Sequence, residues 1–427
     1  MSPLERRELE ALIPQTLQHA AQAPFYRRTW GRRWQRVRAL ADLAALPLLD
    51  KTVASRHQAE LIVGTRPPGI GAFSSGTTRG EAYIDPLHVP LSPEEIAARV
   101  DAAPADGEDD WPGWTLSVVS VHHGLPRTPP GAEELRVPWL HDANALSMLE
   151  TILRSPQPDG RRVTAMTIGS GPLKVFSAWL EQRGVDPRGF GVKLIGTASY
   201  RLSSHWRALI ESRFDAKIFD NYSLSELGTP FTDCSACGWL HMGHPPLAVE
   251  LLALDTDRPV TRGPGRLVFT TLFPFTQVMP LIRYDSGDVG EFGPVCAATK
   301  QRGLRVLGRL RHGVTMGARF VLNPVDVREV LERHPEVSRT LHPMTRLGHV
   351  SSPDLGPPRW NVSREGTSVQ LQFETRFDPA VYPTHARALE AHVKSELFAL
   401  DAATRALGKR VHVTARAAVA ALVERYD

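Results

Sequence analysis

The spacing of apolar residues changes along this chain, and each change predicts an element. MSPLERRELEALIPQ mixes charged and apolar residues at helical spacing, and residues 1–50 read as helical down to ADLAALPLLDK, where Pro47 stops one helix and Lys51 opens the next segment. WTLSVVSV (114–121) is rich in β-branched residues, which predicts a strand that delivers His122 and His123 to its end, just before Gly124. From Arg161 onward short strands alternate with helices. VKLIGTAS predicts a strand running into a loop at Gly196; Leu202, Trp206, Leu209, Ile210 and Phe214 share one helical face; KIFDNY (217–222) is the next strand. This alternation favours an α/β layer with crossovers, in which ligands gather where strands end. Ala198, Ser199, Tyr200, Asn221 and Tyr222 therefore fall on a common rim.

RLVFTTL (266–272) and MPLIRYDSGDVGEF (279–292) predict paired strands, with Gly287 marking a turn between Asp285 and Asp288. Beyond VLGRLRHG (306–313) the character changes. Asn323 predicts a helix cap with Pro324 at the first position and Val327, Val330 and Leu331 as the apolar face. SVQLQFET (368–375) alternates like a half-exposed strand, Leu389, Val393, Leu397 and Leu400 follow at helical spacing, and KRVHVTA (409–415) predicts a closing strand. That is the outline of a small α+β domain, and no internal repeat precedes it.

Composition narrows the class. The 427 residues, 42% hydrophobic and 22% charged, suit a soluble globular protein of two or three domains. The N-terminal stretch lacks the apolar core of a signal peptide, and no apolar run approaches a membrane span. Three cysteines cannot staple a chain of this size, so a cytoplasmic location is expected. The net charge of +4 is a weak basic bias. Its sharpest expression is YRRTWGRRWQRVR (26–38), where Arg27, Arg28, Arg32, Arg33, Arg36 and Arg38 interleave with Trp30 and Trp34. A nucleic-acid reader has this look, and so does a solvated helix face with inward tryptophans. The second reading is favoured because no matching basic stripe occurs elsewhere.

Three constellations carry chemistry. In FSSGTTRGE (73–81), Gly76 permits a tight backbone turn while Ser74, Ser75, Thr77 and Thr78 offer donors toward one point. Such a run is either a phosphate-gripping loop or an ordinary turn; it is not a Walker loop, since no Gly-Lys-Ser/Thr follows. His122 and His123 either line a pocket or occupy an ordinary loop. In DCSACGWLH, Cys234 and Cys237 form a C-x2-C pair, His241 follows, and Cys296 is the remaining cysteine. Thiolates and imidazole at that spacing suit a tetrahedral structural zinc, with buried free thiols as the alternative.

FSSGTTRGE, FDNYSLSELG, PLIRYDSGDVG and VLGRLRHGVTMGARFVLNP stand in the order and at the approximate spacings of the adenylate-forming superfamily of acyl-CoA synthetases. Within it the chain most resembles the phenylacetate-CoA ligase branch, as an atypical member, and APFYRRTW with DLAALPLLDK resembles that branch's N-terminal segment. The resemblance is weakest over 82–160. It implies an α/β fold with a large N-terminal domain (1–308) and a small mobile α+β C-terminal domain (309–427). It also implies an ATP-dependent ligase that activates a carboxylic acid, aryl or otherwise planar, as an acyl-adenylate and passes it to coenzyme A or another acceptor. Expected cofactors are ATP or AMP, Mg²⁺, and zinc. No nucleic acid and no membrane are expected as partners, and a homodimer stays open.

On the same resemblance, Ser74, Ser75, Gly76, Thr77 and Thr78 form the phosphate loop and Ala198, Ser199, Tyr200 and Asn221 the nucleotide rim. Tyr222 lies on adenine, Ser225 near the α-phosphate, Glu226 is the magnesium carboxylate and Asp288 the ribose acid; Arg309 reaches the nucleotide and Arg311 occupies the hinge position. Glu226 as a surface acid and Asp288 as a turn cap are the alternatives. Relatives in this branch often carry a Cys-rich insert where Cys296 falls. The departures are specific. Arg79, Gly80 and Glu81 replace the branch's Gly-Lys-Pro, Tyr222-Ser223 its Tyr-Gly, and Ala198-Ser199 its Gly-Glu. Near the C-terminus Ala418 stands at or near the place of the adenylating lysine, and no lysine follows Lys409. Adenylation is therefore expected to be impaired, with Arg79 a partial substitute. The rival reading is a degenerate homologue that binds nucleotide or performs only the transfer half-reaction.

Overall fold

Helix Pro3–Ala20 and helix Pro24–Trp30 begin the chain, the second with proline at its first position, where a missing N–H costs nothing. The computed structural model describes residues 3–64, 113–120, 134–139, 142–243 and 246–418. Ile13, Leu17, Tyr26 and Trp30 are buried, and the Tyr26 ring stacks on Trp30 at 4.3 Å. The Tyr26 hydroxyl donates to the Pro280 carbonyl at 2.8 Å and accepts from the Ile282 N–H at 3.0 Å. Burial pushes its pKa far upward, so it stays a neutral donor. Arg27, Arg28, Arg32, Arg33, Arg36 and Arg38 are all exposed. The arginine-tryptophan stretch is thus a solvated face over an inward-packed aromatic set.

The chain forms two compact units, Met1–Pro138 with Phe219–Val306, and Trp139–Ile218 with Leu307–Asp427. In the first, Asn221–Ser223 pair antiparallel with strand Pro230–Asp233, which pairs with Leu240–Met242. The order then runs through the strand that begins at Arg302 to Tyr284–Val295, Gly265–Thr271 and Leu247–Leu252, with Leu49–Asp50 parallel beside Tyr284 and Asp285. Gly287, expected to mark a turn, instead sits inside the unbroken strand Tyr284–Val295. Val268 faces Asp285 while Arg266 faces Val289, so the strand carries two extra residues there as a bulge, and Gly287 takes the φ of +74° that it needs. The strand also starts at Tyr284 rather than 279, because Arg283, φ +54°, turns the backbone just before it.

In the second unit, Val163–Gly169 and Leu194–Ala198 are parallel neighbours joined through helix Ser170–Gln182, the crossover that the alternating pattern predicts. Gly196 lies within its strand opposite Thr167, so the loop starts after Ala198 and not at the glycine. Helix Ser204–Phe214, capped by the Ser203 side chain, buries Trp206, Ile210 and Phe214; Leu209 is half-buried, and Leu202 is buried just ahead of the helix. Asn323 accepts from the Asp326 N–H at 2.9 Å and caps Pro324–Leu331 as expected. Strands Trp360–Glu365, Ser368–Thr375 and Val411–Ala417 form a sheet packed by helix Pro383–Leu400. That helix buries Leu389, Val393 and Leu397, while Leu400 in its last turn is exposed, and the closing strand starts two residues later than expected.

A buried ionic cluster lies within this second unit. Lys174, with no exposed surface, places Nζ 3.2 Å from Glu332 Oε1, which also accepts from Arg328 Nε at 2.9 Å. Ser203 donates to Glu332 Oε2 at 2.5 Å. Burial alone would raise the Glu332 carboxyl, but Arg328 and then Lys174 outweigh it and hold the pKa near 2. A carboxyl held below its unfolded value stabilises above that value, so the contribution is present at neutral pH and disappears as pH falls from about 4.5 toward 2. Glu332→Gln leaves the Lys174 ammonium buried without a counter-charge and is expected to cost on the order of 3 kcal/mol in urea melts at pH 7. Lys174→Met, which leaves Glu332 with Arg328 and Ser203, should cost less, and the gap between Glu332→Gln and wild type should close as the pH is lowered through that window.

Candidate functional site

Two of the motif carboxylates meet partners in the first unit. Tyr222, on the strand Lys217–Ser223, donates its hydroxyl to Asp288 Oδ2 at 2.7 Å, and its ring packs against Phe231 and Phe269. Asp288 is buried, and its backbone N–H donates to Ser286 Oγ at 3.1 Å. The bulge around Gly287 thus turns the Asp288 carboxylate to the tyrosine. Asn221 accepts from the Thr232 hydroxyl at 2.6 Å on the paired strand. Ser225 and Glu226 follow in the loop after Ser223, the first half-buried and the second buried.

Glu226 is not a surface acid. Its Oε1 accepts from the Tyr284 hydroxyl at 2.9 Å and lies 3.1 Å from Lys51 Nζ, both partners themselves largely buried. Sequence reasoning missed Lys51 as a site residue. The Asp50 side chain caps the helix Lys51–Arg56 through the Val53 N–H, and the parallel register of Leu49 with Tyr284 sets Lys51 beside Tyr284 and Glu226. Nothing local in DLAALPLLDK signals this, because the partners lie far downstream.

The second unit holds the other rim residues. Ser199 adopts φ +84°, uncommon for a residue with a side chain, and Ser170 Oγ donates to the carbonyls on either side of it, Ala198 at 3.0 Å and Tyr200 at 2.6 Å. The Arg328 guanidinium lies 3.8 Å from the Tyr200 ring centroid. Arg309 closes its strand, and Arg311, exposed, donates from Nε to His312 Nε2 at 3.0 Å. Ser74, Ser75, Gly76, Thr77, Thr78 and Arg79, together with His122 and His123, lie outside the described residues.

The cysteine constellation does assemble. The ligand atoms of Cys234, Cys237, His241 and Cys296 all lie within 4.8 Å of one another, and the three thiols are free. Bonds of about 2.3 Å to sulfur and about 2.0 Å to nitrogen put tetrahedral ligand atoms roughly 3.5 to 4 Å apart, so three thiolates and an imidazole fit a zinc ion here. His241 Nε2 lies 3.3 Å from Cys237 Sγ, and its Nδ1 lies 2.9 Å from Thr299 Oγ1. The Thr299 N–H is the main influence that lowers the Cys296 thiol to about 7, while burial is the main one that raises Cys237 to about 11.

No protein-family model matches the chain. The phenylacetate-coenzyme A ligase of Aromatoleum evansii is 25% identical over 254 residues, which cover 54% of this chain and 53% of that protein; the match spans about half the length of the curated relative. An open conformation of 2-hydroxyisobutyryl-CoA ligase, in complex with 2-HIB-AMP and CoA, superposes with a TM-score of 0.70 at 17% identity over 100% of this chain and 91% of that one. The same ligase in the postadenylation state with R3-HIB-AMP gives 0.68 at 16%, over 100% and 89%. This is the adenylate-forming fold. The sequence likeness to the phenylacetate-coenzyme A ligase covers about half of this chain. Among the described residues no helix is long and apolar enough to cross a membrane.

Removing Lys51 should leave Glu226 buried with the Tyr284 hydroxyl among its partners. Lys51→Met is expected to destabilise the protein by about 1 to 3 kcal/mol, the penalty for stripping a partner from a buried charged group. The double change Lys51→Met with Glu226→Gln should recover part of that loss, and denaturant melts of the three proteins read both effects.

Proposed function

We propose that this chain is an acid-thiol ligase that activates a carboxylic acid as its acyl-adenylate and transfers the acyl group to coenzyme A or another acceptor. The observation that carries the reading is the Tyr222–Asp288 pair, an aromatic ring held by a buried carboxylate at the two motif positions for adenine and ribose. An acid that binds ribose hydroxyls must be an acceptor, and Asp288 is one. The structures that superpose on this fold hold an acyl-AMP, which supports the same chemistry. The acid is aryl or otherwise planar on the sequence likeness to a phenylacetate-CoA ligase.

In this reading ATP and the acid meet with the carboxylate in line with the α-phosphorus, Ser225 near that phosphate, and the 73–81 loop on the phosphates. When bound, Mg²⁺ would neutralise phosphate charge with Glu226 as its carboxylate, sharing that group with Lys51, whose ammonium already lies on Oε1. Arg309 and Arg311 belong to the hinge between a nucleotide-binding part up to 308 and a C-terminal lid. Cys234, Cys237, His241 and Cys296 hold a structural zinc. A second reading, a homologue confined to nucleotide binding or acyl transfer, draws on one feature of the sequence: Ala418 stands at or near the place of the adenylating lysine on the resemblance, and no lysine follows Lys409.

Asp288→Ala should weaken AMP binding by about tenfold or more, since a hydrogen bond to a charged acceptor contributes roughly 1.5 to 3 kcal/mol. Calorimetry reads it, with Tyr222→Phe, which keeps the carboxylate, as the control; unchanged affinity in a folded Asp288→Ala protein removes that residue from the site. Purified protein made with ample zinc should contain about one equivalent by elemental analysis, and Cys237→Ser should lose both the metal and thermal stability. Missing electrostatic stabilisation where negative charges converge slows a reaction by on the order of 10²-fold or more. A synthetic acyl-adenylate should therefore be consumed with the acceptor faster than free acid plus ATP. Arg79→Ala should slow the ATP-dependent step further, and brisk activation undiminished by that change would refute the account of the missing lysine.

A further inference from the structure

Three of the four proposed zinc ligands, Cys234, Cys237 and Cys296, sit on two turns built to one backbone plan, and His241 lies on the strand Leu240–Met242. In the first, Cys234-Ser235-Ala236-Cys237-Gly238-Trp239, the Cys234 N–H donates to the Trp239 carbonyl at 3.0 Å, and the Cys234 carbonyl accepts from the Gly238 N–H at 2.7 Å. In the second, Cys296-Ala297-Ala298-Thr299-Lys300-Gln301, the Cys296 N–H donates to the Gln301 carbonyl at 2.8 Å, and the Cys296 carbonyl accepts from the Lys300 N–H at 3.0 Å. The fifth residue is left-handed in both, Gly238 at φ +70° and Lys300 at φ +59°. A lysine in that conformation is uncommon, so the second turn keeps the plan without the residue that adopts it most readily. Each turn starts directly at a strand end, after Asp233 in one and Val295 in the other.

Aligned position by position, Cys234 corresponds to Cys296 and Cys237 to Thr299. The first turn supplies two thiols and the second only one, with the fourth ligand coming from His241. Thr299 has not left the site. Its Oγ1 lies 2.9 Å from His241 Nδ1, its hydroxyl also hydrogen-bonds the Cys296 sulfur, and the Gln301 N–H donates to the same oxygen at 3.3 Å. With the hydroxyl proton directed to the Cys296 sulfur, the oxygen accepts from His241 Nδ1–H. That tautomer leaves the Nε2 lone pair facing Cys237 Sγ, 3.3 Å away.

We propose that position 299 is the vacated fourth ligand position of a paired-turn zinc site, and that Thr299 is a positioning residue which orients two ligands at once, fixing His241 for Nε2 ligation and donating to the Cys296 thiolate. The proposal rests on the zinc reading above and goes beyond it in saying why the site is three thiolates and one imidazole. A cysteine at 299 can then ligate in place of His241.

The test uses the full chain loaded with Co²⁺ and titrated against a chelator, so its readout is a spectrum and an affinity. Thr299→Val should lower metal affinity by about 10- to 100-fold, with Thr299→Ser restoring it. His241→Ala should bind weakly, and His241→Ala with Thr299→Cys should regain one equivalent of Co²⁺ with stronger sulfur-to-cobalt charge-transfer absorption than wild type. Regained tight binding cannot arise from misfolding. Wild-type affinity in Thr299→Val, or a double variant that binds no better than His241→Ala, overturns the role of position 299 while leaving the zinc site standing. Wild-type protein that takes up neither Zn²⁺ nor Co²⁺ takes down both.

Discussion

A guanidinium with 2% of its surface exposed constrains the first unit. Arg283 donates to both oxygens of Glu250, each at 3.1 Å, and to the Leu46 carbonyl at 2.6 Å. A charge that deep is tolerated only when every donor has an acceptor and a counter-ion is at hand. Burial raises the Glu250 carboxyl even against the pull of Arg283. To meet these demands the chain at 44–46 must lie against the start of strand Tyr284–Val295, which sets Leu49 opposite Tyr284 and brings Lys51 to Glu226. Satisfying one buried cation thereby positions a second one at the candidate site.

The strand that Arg283 anchors serves both constellations of that unit. Near its start Tyr284 and the bulged Asp288 face Glu226 and Tyr222, and past its end the chain enters the Cys296 turn. Gly293 and Gly303 meet the face of Trp239, where a Cβ would come within 2.6 Å, so the first cysteine turn closes on backbone that has no side chain in the way. A metal held by the two turns would tie this end of the sheet together, and metal binding to a site formed only on folding adds directly to stability.

The polar clusters of the two units differ in kind. In the first, the carboxylates at motif positions face phenols and a lysine and retain the chemistry of acceptors. In the second, Glu332 is committed to Lys174, Arg328 and Ser203, and the Arg328 plane also covers the Tyr200 ring. Ionic clusters as deep as that one fix geometry more than they add stability, because desolvation offsets much of the attraction. Ser199, with its positive φ, precedes Tyr200 directly, and Ser170 hydrogen-bonds the carbonyls on both sides of it.

Local pattern was enough for much of this. Helical spacing, the Asn323 cap, the stretch rich in β-branched residues at 114–120 and the strand Ser368–Thr375 follow from periodicity and capping chemistry, which depend on near neighbours. Motif order sufficed to indicate the adenylate-forming fold and the four metal-ligand candidates, since residue type and spacing carry that information. Where local cues misled, long-range pairing was the reason. Gly287 and Gly196 read as turn signals, yet both sit in strands because flanking residues pair across the sheet. Leu400 continues an apolar period but lies exposed in the last helical turn. Lys51, Glu332 and Thr299 were illegible for the same cause. Their roles come from partners 175, 158 and 58 residues away, and only the folded chain brings such groups within hydrogen-bonding distance.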